Sequence, residues 1–395
     1  MSWQDDFRND MLSNWSVPPV QFASGEGSWL VDIHGKRYLD FLAGIAVNAL
    51  GHSHPVFVHA LTQQAKKLSH VSNLFTNEPV LELAARLKRL AQTGDSGRVF
   101  FCNSGTEAIE AAFKLARRNK RNGTILSLTH SFHGRTMGAL AVTGKPALQE
   151  PFEPMVPNVR QIEATLEALE GAIDDNTAAI FIEPIRGEAG VLPLPEGFLK
   201  LARKLTLRHN ALLILDEIQT GIARTGEWFA FQGEGVVPDV MALAKGLGGG
   251  FPIGAVVTFG AAGELFKPGD HGTTFGGNAL ACAVANAVLE EIEDKHILDN
   301  VKAQSLKLSE AILNFESPLI SGVRGKGLLL GITLTKPYAK VMVHLGLELG
   351  LVINAPDDDI VRLVPPLNLN NEDSDEFLTI FARILAETEQ KALSL

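Results

Sequence analysis

The chain has only two cysteines, Cys102 and Cys282, among 395 residues. A framework of disulfide bonds needs more cysteines, so the sequence excludes the small disulfide-rich folds of secreted proteins. No apolar run approaches the roughly 18 residues that a membrane-spanning helix needs. The first ten residues are acidic, whereas a secretory signal begins with a basic and then an apolar stretch. These absences predict a reduced, cytoplasmic protein without a membrane partner.

Positive charge is scarce, because 35 lysines and arginines face 45 aspartates and glutamates and leave a net charge of −10. This balance argues against nucleic acid or an anionic membrane as the main partner. His52 and His54 lie close together, but no further cluster of ligands accompanies them, so we predict no metal site. With 46% apolar residues, the chain is long enough for two or three domains with substantial cores.

The middle of the chain alternates short apolar runs with amphipathic helical patterns. The apolar runs cover residues 98–101, 178–184, 211–217, 241–245 and 253–259. Continuous apolar strands that alternate with helices are typical of a parallel sheet buried on both faces. We therefore predict an α/β fold, with a mostly parallel sheet covered by helices.

The two ends of the chain have a different pattern. Residues 20–42 combine short β-type runs with turns, and similar runs alternate with helical segments near the end of the chain. We predict a large domain over residues 46–285 and a smaller α+β domain formed jointly by residues 1–45 and 286–395.

Polar residues follow several of the predicted strands, at the sheet edge where such folds bind ligands. Ser104, Gly105 and Thr106 lie between a strand and a helix, where backbone N–H groups and the helix dipole favour a phosphate. Ser104 and Glu107 also fit a capping box, which needs no ligand. Asp216 ends the apolar run LLILD, and a buried carboxylate needs a cation, a hydrogen-bond network or water. A structural arginine would also meet that need.

Lys245 ends another apolar run and precedes a glycine-rich loop. Desolvation would lower the pKa of its amine and make it a nucleophile, although an exposed lysine before a turn has the same pattern. Gly246, Gly248 and Gly250 do not indicate a dinucleotide site, because β-type residues follow where that motif requires a helix.

A phosphate site, a strand-end aspartate and a strand-end lysine are together the parts that bind pyridoxal 5′-phosphate. The lysine attaches the cofactor covalently, and the aspartate faces the pyridine nitrogen. At about 4 Å and a moderate effective dielectric, the attraction between carboxylate and pyridinium is about 4 kcal/mol before desolvation. We therefore predict that Asp216 faces a pyridinium.

Six ordered motifs resemble those of the class III aminotransferases of fold type I, and of the acetylornithine aminotransferase group in particular. The motifs are FFCNSGTEA, SFHGRT, EPIRGEAG, LDEIQTGIARTG, AKGLGGGFPIGA and HGTTFGGN, and the resemblance covers nearly the whole chain. It implies an N-acetylornithine:2-oxoglutarate aminotransferase of arginine biosynthesis. Such an enzyme transfers the δ-amino group by ping-pong kinetics and yields N-acetylglutamate semialdehyde and glutamate.

The resemblance also assigns roles to individual residues. Lys245, Asp216 and Glu188 would be catalytic. The cofactor would contact Ser104, Gly105, Thr106, Phe132, Asp216, Gln219, Lys245 and Thr274, and the substrates would contact Arg135, Glu188, Thr273 and Arg362. Phe132 would stack on the cofactor ring, Gln219 would lie near its phenolic oxygen, and Thr274 would reach the cofactor phosphate of a partner subunit. The last role implies a homodimer with shared active sites.

Two arginines and one glutamate would handle the substrates. By the resemblance, Arg135 binds the distal carboxylate of the amino donor and Arg362 binds the α-carboxylate of glutamate or 2-oxoglutarate. Glu188 would neutralise Arg362 while the ω-amine of the donor occupies the site, and would swing away for the dicarboxylate.

Alternatives remain at this point. Other donors within the family are succinyldiaminopimelate, ornithine and 4-aminobutyrate. Ornithine-specific relatives carry a tyrosine at the place of Ile45, and the smaller apolar residue favours an acetylated donor. A non-catalytic protein that retains the cofactor fold is the alternative from another class. The presence of Lys245, Asp216, Glu188 and both arginines argues against it.

Overall fold

The computed structural model of the protein describes residues 2–393. Its helices are α1 (Trp3–Asp10), α2 (Ala43–Ala46), α3 (Pro55–Lys67), α4 (Glu78–Ala91), α5 (Gly105–Asn119), α6 (Met137–Val142), α7 (Pro146–Gln149), α8 (Leu166–Ala172), α9 (Phe198–Arg208), α10 (Ala230–Glu234), α11 (Ala279–Asp294), α12 (Ile297–Leu313), α13 (Ala339–Leu349) and α14 (Asn371–Leu393). Short 3-10 helices span Glu150–Phe152, Gly187–Ala189, Lys245–Gly248 and Gly260–Glu264.

The strands follow the same chain order. They are β1 (Phe22–Glu26), β2 (Trp29–Asp32), β3 (Arg37–Asp40), β4 (Arg98–Cys102), β5 (Thr124–Leu128), β6 (Val159–Ile162), β7 (Thr177–Ile182), β8 (Ile185–Arg186), β9 (Leu192–Pro193), β10 (Leu212–Asp216), β11 (Val240–Leu243), β12 (Gly254–Thr258), β13 (Ile320–Lys326), β14 (Leu329–Leu334), β15 (Leu351–Val352), β16 (Asn354–Asp357) and β17 (Ile360–Leu363).

A seven-stranded sheet with the order β4-β12-β11-β10-β7-β5-β6 forms the centre of the fold. Its strands run parallel except β12, which is antiparallel to both of its neighbours. The predicted fold class, a mostly parallel sheet covered by helices, is confirmed. The sequence patterns identified five of these strands and missed β5 and β6.

Both faces of the central sheet are buried, which explains the continuous apolar runs in its strands. In β10, Leu212 and Ile214 pack in the same cluster as the apolar face of α5. Leu213 and Leu215 belong to the cluster on the other face, together with residues of α9. Side chains alternate between the two faces, so the polar side chain that ends the strand lies on the α5 side.

Two smaller sheets come from the ends of the chain. One has the order β1-β2-β3-β15 and therefore joins the N-terminal segment to a strand near residue 351. The other has the order β13-β14-β17-β16 and places Arg362 directly across from Asn354. The domain division at residues 45 and 285 stays a prediction. Within residues 2–393, no helix combines the length and the apolarity needed to cross a membrane.

Candidate active site

A cavity of about 420 Å³ opens at the carboxyl edge of the central sheet, where β10 and β11 end. It gathers nine of the twelve site residues that the sequence predicts: Ser104, Gly105, Thr106, Phe132, Arg135, Glu188, Asp216, Gln219 and Lys245. Arg362 does not line the cavity itself but contacts two residues that do, Glu188 and Gln219. Thr273 and Thr274 lie outside the lining. Residues more than 140 positions apart in sequence thus converge at one sheet edge.

The N-terminus of α5 forms one wall of the cavity. Ser104 caps the helix, because its hydroxyl oxygen accepts from the backbone N–H of Glu107 at 3.3 Å. The Glu107 carboxylate accepts from the backbone N–H of Asn103 at 2.7 Å, one residue before the position that a capping box requires. The predicted cap therefore forms only in half. This partial cap leaves the N-terminus of α5 facing the cavity, and a helix N-terminus is a favourable site for a phosphate.

Glycines let the backbone approach Thr106 closely. A Cβ at Gly134, where φ is +137°, would lie 2.3 Å from the Thr106 Oγ1. A Cβ at Gly105 would lie 2.9 Å from the Ile218 Cδ1. Thr106 and Thr136 are hydrogen-bonded through their hydroxyls at 2.8 Å, so the loop before α6 is fastened to the start of α5. A side chain at Gly134 would therefore crowd Thr106, and one at Gly105 would crowd Ile218. We call this closely packed region around Gly105, Thr106 and Gly134 the glycine cradle.

Asp216 is buried at the end of β10, and its partner in the chain is a histidine. The Asp216 Oδ2 lies 2.7 Å from the His133 Nδ1, and its Oδ1 accepts from the Ile218 N–H at 3.0 Å. Burial opposes protonation of His133, but the hydrogen bond and charge of Asp216, together with the charge of Glu183, raise its pKa above the ordinary value. Sequence reasoning missed His133, although it stands inside the SFHGRT motif, next to Phe132.

Glu183 lies one residue past β7 and also lines the cavity. Burial raises the pKa of its carboxyl to about 7. It accepts a hydrogen bond from the backbone N–H of Phe132 at 3.0 Å. This bond fixes the backbone beside the predicted stacking ring. The guanidinium carbon of Arg135 lies 5.8 Å from the centre of the same ring, and the Arg135 side chain is exposed at the mouth of the cavity.

Lys245 follows β11 by two residues and begins a 3-10 helix with a φ of +44°. Its side chain is enclosed by protein except toward the cavity. Burial, followed by the nearby charge of Arg362, lowers the pKa of its amine to about 8. In the part of the chain that the structure describes, the amine has neither a hydrogen bond nor an ion pair. A neutral amine is therefore accessible near neutral pH, as a nucleophile or base requires.

Arg362 is fully buried and pairs with Glu188, with 2.5 Å between the Arg362 Nη1 and the Glu188 Oε1. The same Nη1 donates to the Gln219 Oε1 at 3.2 Å, and the Arg362 Nε donates to the Asn354 Oδ1 at 3.1 Å. Burial would raise the pKa of the Glu188 carboxyl, but the charge and hydrogen bond of Arg362 hold it below its usual value. Gln219, which we predict to contact the cofactor, is therefore also hydrogen-bonded to the predicted switch pair of Glu188 and Arg362.

Three other predicted positions lie apart from this cavity. The Thr273 Oγ1 accepts from the Asn103 side chain at 3.3 Å, and Thr274 is exposed. Ile45 is 39% exposed, has a left-handed φ of +66° within the short α2 segment and does not line the cavity. Its predicted influence on the donor stays a prediction.

The family follows from a comparison with known proteins. Residues 11–385 match the model of the class-III aminotransferases. The chain belongs to this family. An acetylornithine aminotransferase of Streptomyces coelicolor is 49% identical over 388 residues, covering 98% of this chain and 96% of the relative.

Solved structures of family members share the fold. An N-acetylornithine aminotransferase from Stenotrophomonas maltophilia is 35% identical, with a TM-score of 0.85 and coverage of 98% of this chain and 99% of that one. An ornithine aminotransferase from Toxoplasma gondii is 31% identical, with a TM-score of 0.93 and coverage of 98% and 95%. Since proteins named for two different donors both match, the fold does not distinguish the substrate.

The predictions of a class-III aminotransferase and of pyridoxal phosphate as its cofactor are confirmed. The residues of this aminotransferase fit the cofactor: a buried carboxylate, a lysine amine and a helix N-terminus face one cavity. The His133 Nε2 is buried without a partner among the described residues. A buried polar atom that lacks a partner is costly in a folded protein and needs an explanation, such as a catalytic role or an ordered water or ion.

The glycine cradle gives a first test of where the cofactor lies. We expect Gly134→Ala to weaken equilibrium binding of pyridoxal phosphate by about tenfold or more, because the methyl group would displace the Thr106 hydroxyl and strain the positive φ. Gly171→Ala is the matched control, since nothing lies within 4 Å of its Cβ. Cofactor titration by absorbance would measure both variants. Equal affinities would show that Gly134 does not border the phosphate site.

Proposed function

We propose that this aminotransferase transfers the δ-amino group of N-acetylornithine to 2-oxoglutarate in arginine biosynthesis, yielding N-acetylglutamate semialdehyde and glutamate. The observation that carries the proposal is the charge pair between Glu188 and Arg362 beside Lys245. The 49% identity to an acetylornithine aminotransferase over nearly the full length supports the choice of donor.

Pyridoxal phosphate, when bound, supplies an electron sink for the carbanion that forms when the substrate carbon loses a proton. Lys245 would hold the cofactor covalently and, once displaced, move that proton with its amine. Its pKa near 8 suits this work, because an effective general base has a pKa close to the working pH. Asp216, held by His133 at 2.7 Å, would keep a negative charge against the pyridine nitrogen.

The charge pair would let one pocket accept two different substrates. While Glu188 neutralises Arg362, the guanidinium would repel the ω-amine of the donor less strongly, so the pocket could accept it. When Glu188 moves away, the guanidinium can bind the α-carboxylate of 2-oxoglutarate in a bidentate manner. Arg135, exposed at the mouth, would bind the distal carboxylate in both cases. The enzyme would therefore follow ping-pong kinetics.

Single half-reactions test the donor. We expect N-acetylornithine to change the visible absorption of the cofactor-loaded protein, and 2-oxoglutarate to restore it. Glu188→Gln should lower kcat/KM for N-acetylornithine by about tenfold and affect 2-oxoglutarate less, because the uncompensated Arg362 would repel a cationic donor. Stopped-flow absorbance with each substrate alone would measure both effects.

The same experiment includes the alternatives. Succinyldiaminopimelate, ornithine and 4-aminobutyrate would be compared at equal concentration with N-acetylornithine. A higher kcat/KM with one of these compounds would show that it is the preferred donor instead of N-acetylornithine, and the reaction would still be a transamination. Sequential rather than ping-pong kinetics would contradict the two-stage scheme.

We propose in addition that the enzyme acts as a homodimer with shared active sites. Thr274 is exposed outside the cavity of its own chain, where a role in a partner's site would place it. Nearby, Leu74, Phe75 and Phe275 are 86%, 72% and 61% exposed. The Asn73 side chain donates to the backbone oxygens of Thr273 and Gly276, so the segment around residue 74 lies against the segment around residue 275. Such clustered apolar exposure is typical of a protein interface. Sedimentation equilibrium that gave the mass of a single chain would contradict this proposal.

A further inference from the structure

Within residues 2–393, Arg362 donates to three hydrogen-bond acceptors, and only one of these three carries a charge. Glu188 is the anion, whereas Asn354 and Gln219 each present a neutral amide oxygen. Their supports differ as well. Asn354 lies on β16, directly across from Arg362 on β17, so it is fixed by the strand register. Glu188 lies in a three-residue 3-10 helix, Gly187–Ala189, and its side chain is 28% exposed.

The neutral contacts have a physical consequence for substrate binding. The bond from the Arg362 Nε to the Asn354 Oδ1, at 3.1 Å, orients the plane of the guanidinium without cancelling its charge. Nη1 then faces Glu188 and Gln219, and Nη2 is buried without a partner among the described residues. An aspartate at position 354 would have the same shape, but it would neutralise the arginine permanently.

We propose that Asn354 is a positioning residue that determines substrate choice: it holds Arg362 in place while leaving its charge to be cancelled by Glu188 alone. The inference rests on the proposed function, because it concerns the site for the α-carboxylate of the dicarboxylate substrate. When Glu188 withdraws, the guanidinium keeps its orientation through Asn354 and Gln219 and presents a full positive charge. The neutrality of the position 354 side chain is therefore as important as its hydrogen bond.

Two variants separate charge from orientation. Asn354→Asp keeps an acceptor for the Nε and adds a fixed negative charge, whereas Asn354→Ala removes the acceptor and adds no charge. Asn122→Asp is the control for the change in net charge. It is exposed beyond the C-terminus of α5, a 15-residue helix that is about 22 Å long and starts at the cavity.

The binding probe is glutarate, a dicarboxylate without the reactive carbonyl, titrated by calorimetry into the cofactor-loaded enzyme. We expect Asn354→Asp to raise the Kd of glutarate by about tenfold or more, and Asn354→Ala by only about threefold. Asn122→Asp should match the wild type. In steady-state assays, Asn354→Asp should raise KM for 2-oxoglutarate by a similar factor and leave KM for N-acetylornithine within about twofold.

Three results would overturn the inference. The first is an unchanged Kd in Asn354→Asp. The second is an equal loss in both variants, because orientation alone would then explain the effect. The third is an equal fall of kcat/KM for both substrates together with a lower Tm, which would indicate a purely structural residue. Failure of the wild type to bind glutarate would instead remove the proposed function and this inference together.

Discussion

Replacing Lys245 by alanine should lower kcat by at least about 10,000-fold, because one amine both retains the cofactor and transfers the proton. No second amine substitutes for it, since Lys245 is the lysine that lines the cavity within residues 2–393. We also expect the variant to lose pyridoxal phosphate on gel filtration, because covalent attachment is lost while the phosphate and ring contacts remain. Steady-state assays and the cofactor absorbance of the eluted protein would measure these two effects.

Lys204→Ala on α9 is the control, because this lysine is exposed and does not line the cavity. It should retain both turnover and cofactor. Lys245→Ala with full transaminase activity would contradict the assignment of the catalytic amine. A variant that is inactive yet retains the cofactor as firmly as the wild type would contradict covalent attachment only.

The central fold could be predicted because buried parallel strands are readable as continuous apolar runs. The β10 run LLILD is apolar at every position that faces either helix layer, and it ends at the polar Asp216. β6 was missed because its VRQI sequence, at the edge of the sheet, places two polar residues between two apolar ones and so contains no continuous apolar run. The direction of β12 was also not predictable, because apolarity records burial and carries no information on strand direction.

The cavity residues were predicted from motifs, but the contacts that tune them depend on tertiary structure. His133 stands 83 positions from Asp216, and nothing in the local pattern indicates that its ring nitrogen lies 2.7 Å from that carboxylate. Asn354 contacts Arg362 only because β16 and β17 pair in a particular register. Sequence spacing identifies residues that follow strands, whereas cross-strand and inter-element hydrogen bonds require the assembled fold.

The charge of Asp216 should be worth several orders of magnitude in rate. Asp216→Asn keeps the size of the side chain and removes the charge that would face the pyridine nitrogen. An attraction of about 4 kcal/mol corresponds to a rate factor of about 1,000, so the rate constant of each half-reaction should fall by about 1,000-fold. The amide would also face the His133 Nδ1 with an altered donor pattern, because the carboxylate oxygen at 2.7 Å is replaced. Stopped-flow absorbance with each substrate would measure the two half-reactions separately.

The equality of the two losses distinguishes this role from substrate binding. Asp216 serves the cofactor, which takes part in both half-reactions, whereas the Glu188–Arg362 pair serves the two substrates differently. Asp294→Asn, at an exposed position near the end of α11, should match the wild type. A loss confined to one half-reaction would place Asp216 at the substrate instead of the ring nitrogen. A loss below about tenfold would show that the carboxylate serves mainly to hold His133, because a structural hydrogen bond is worth about that much.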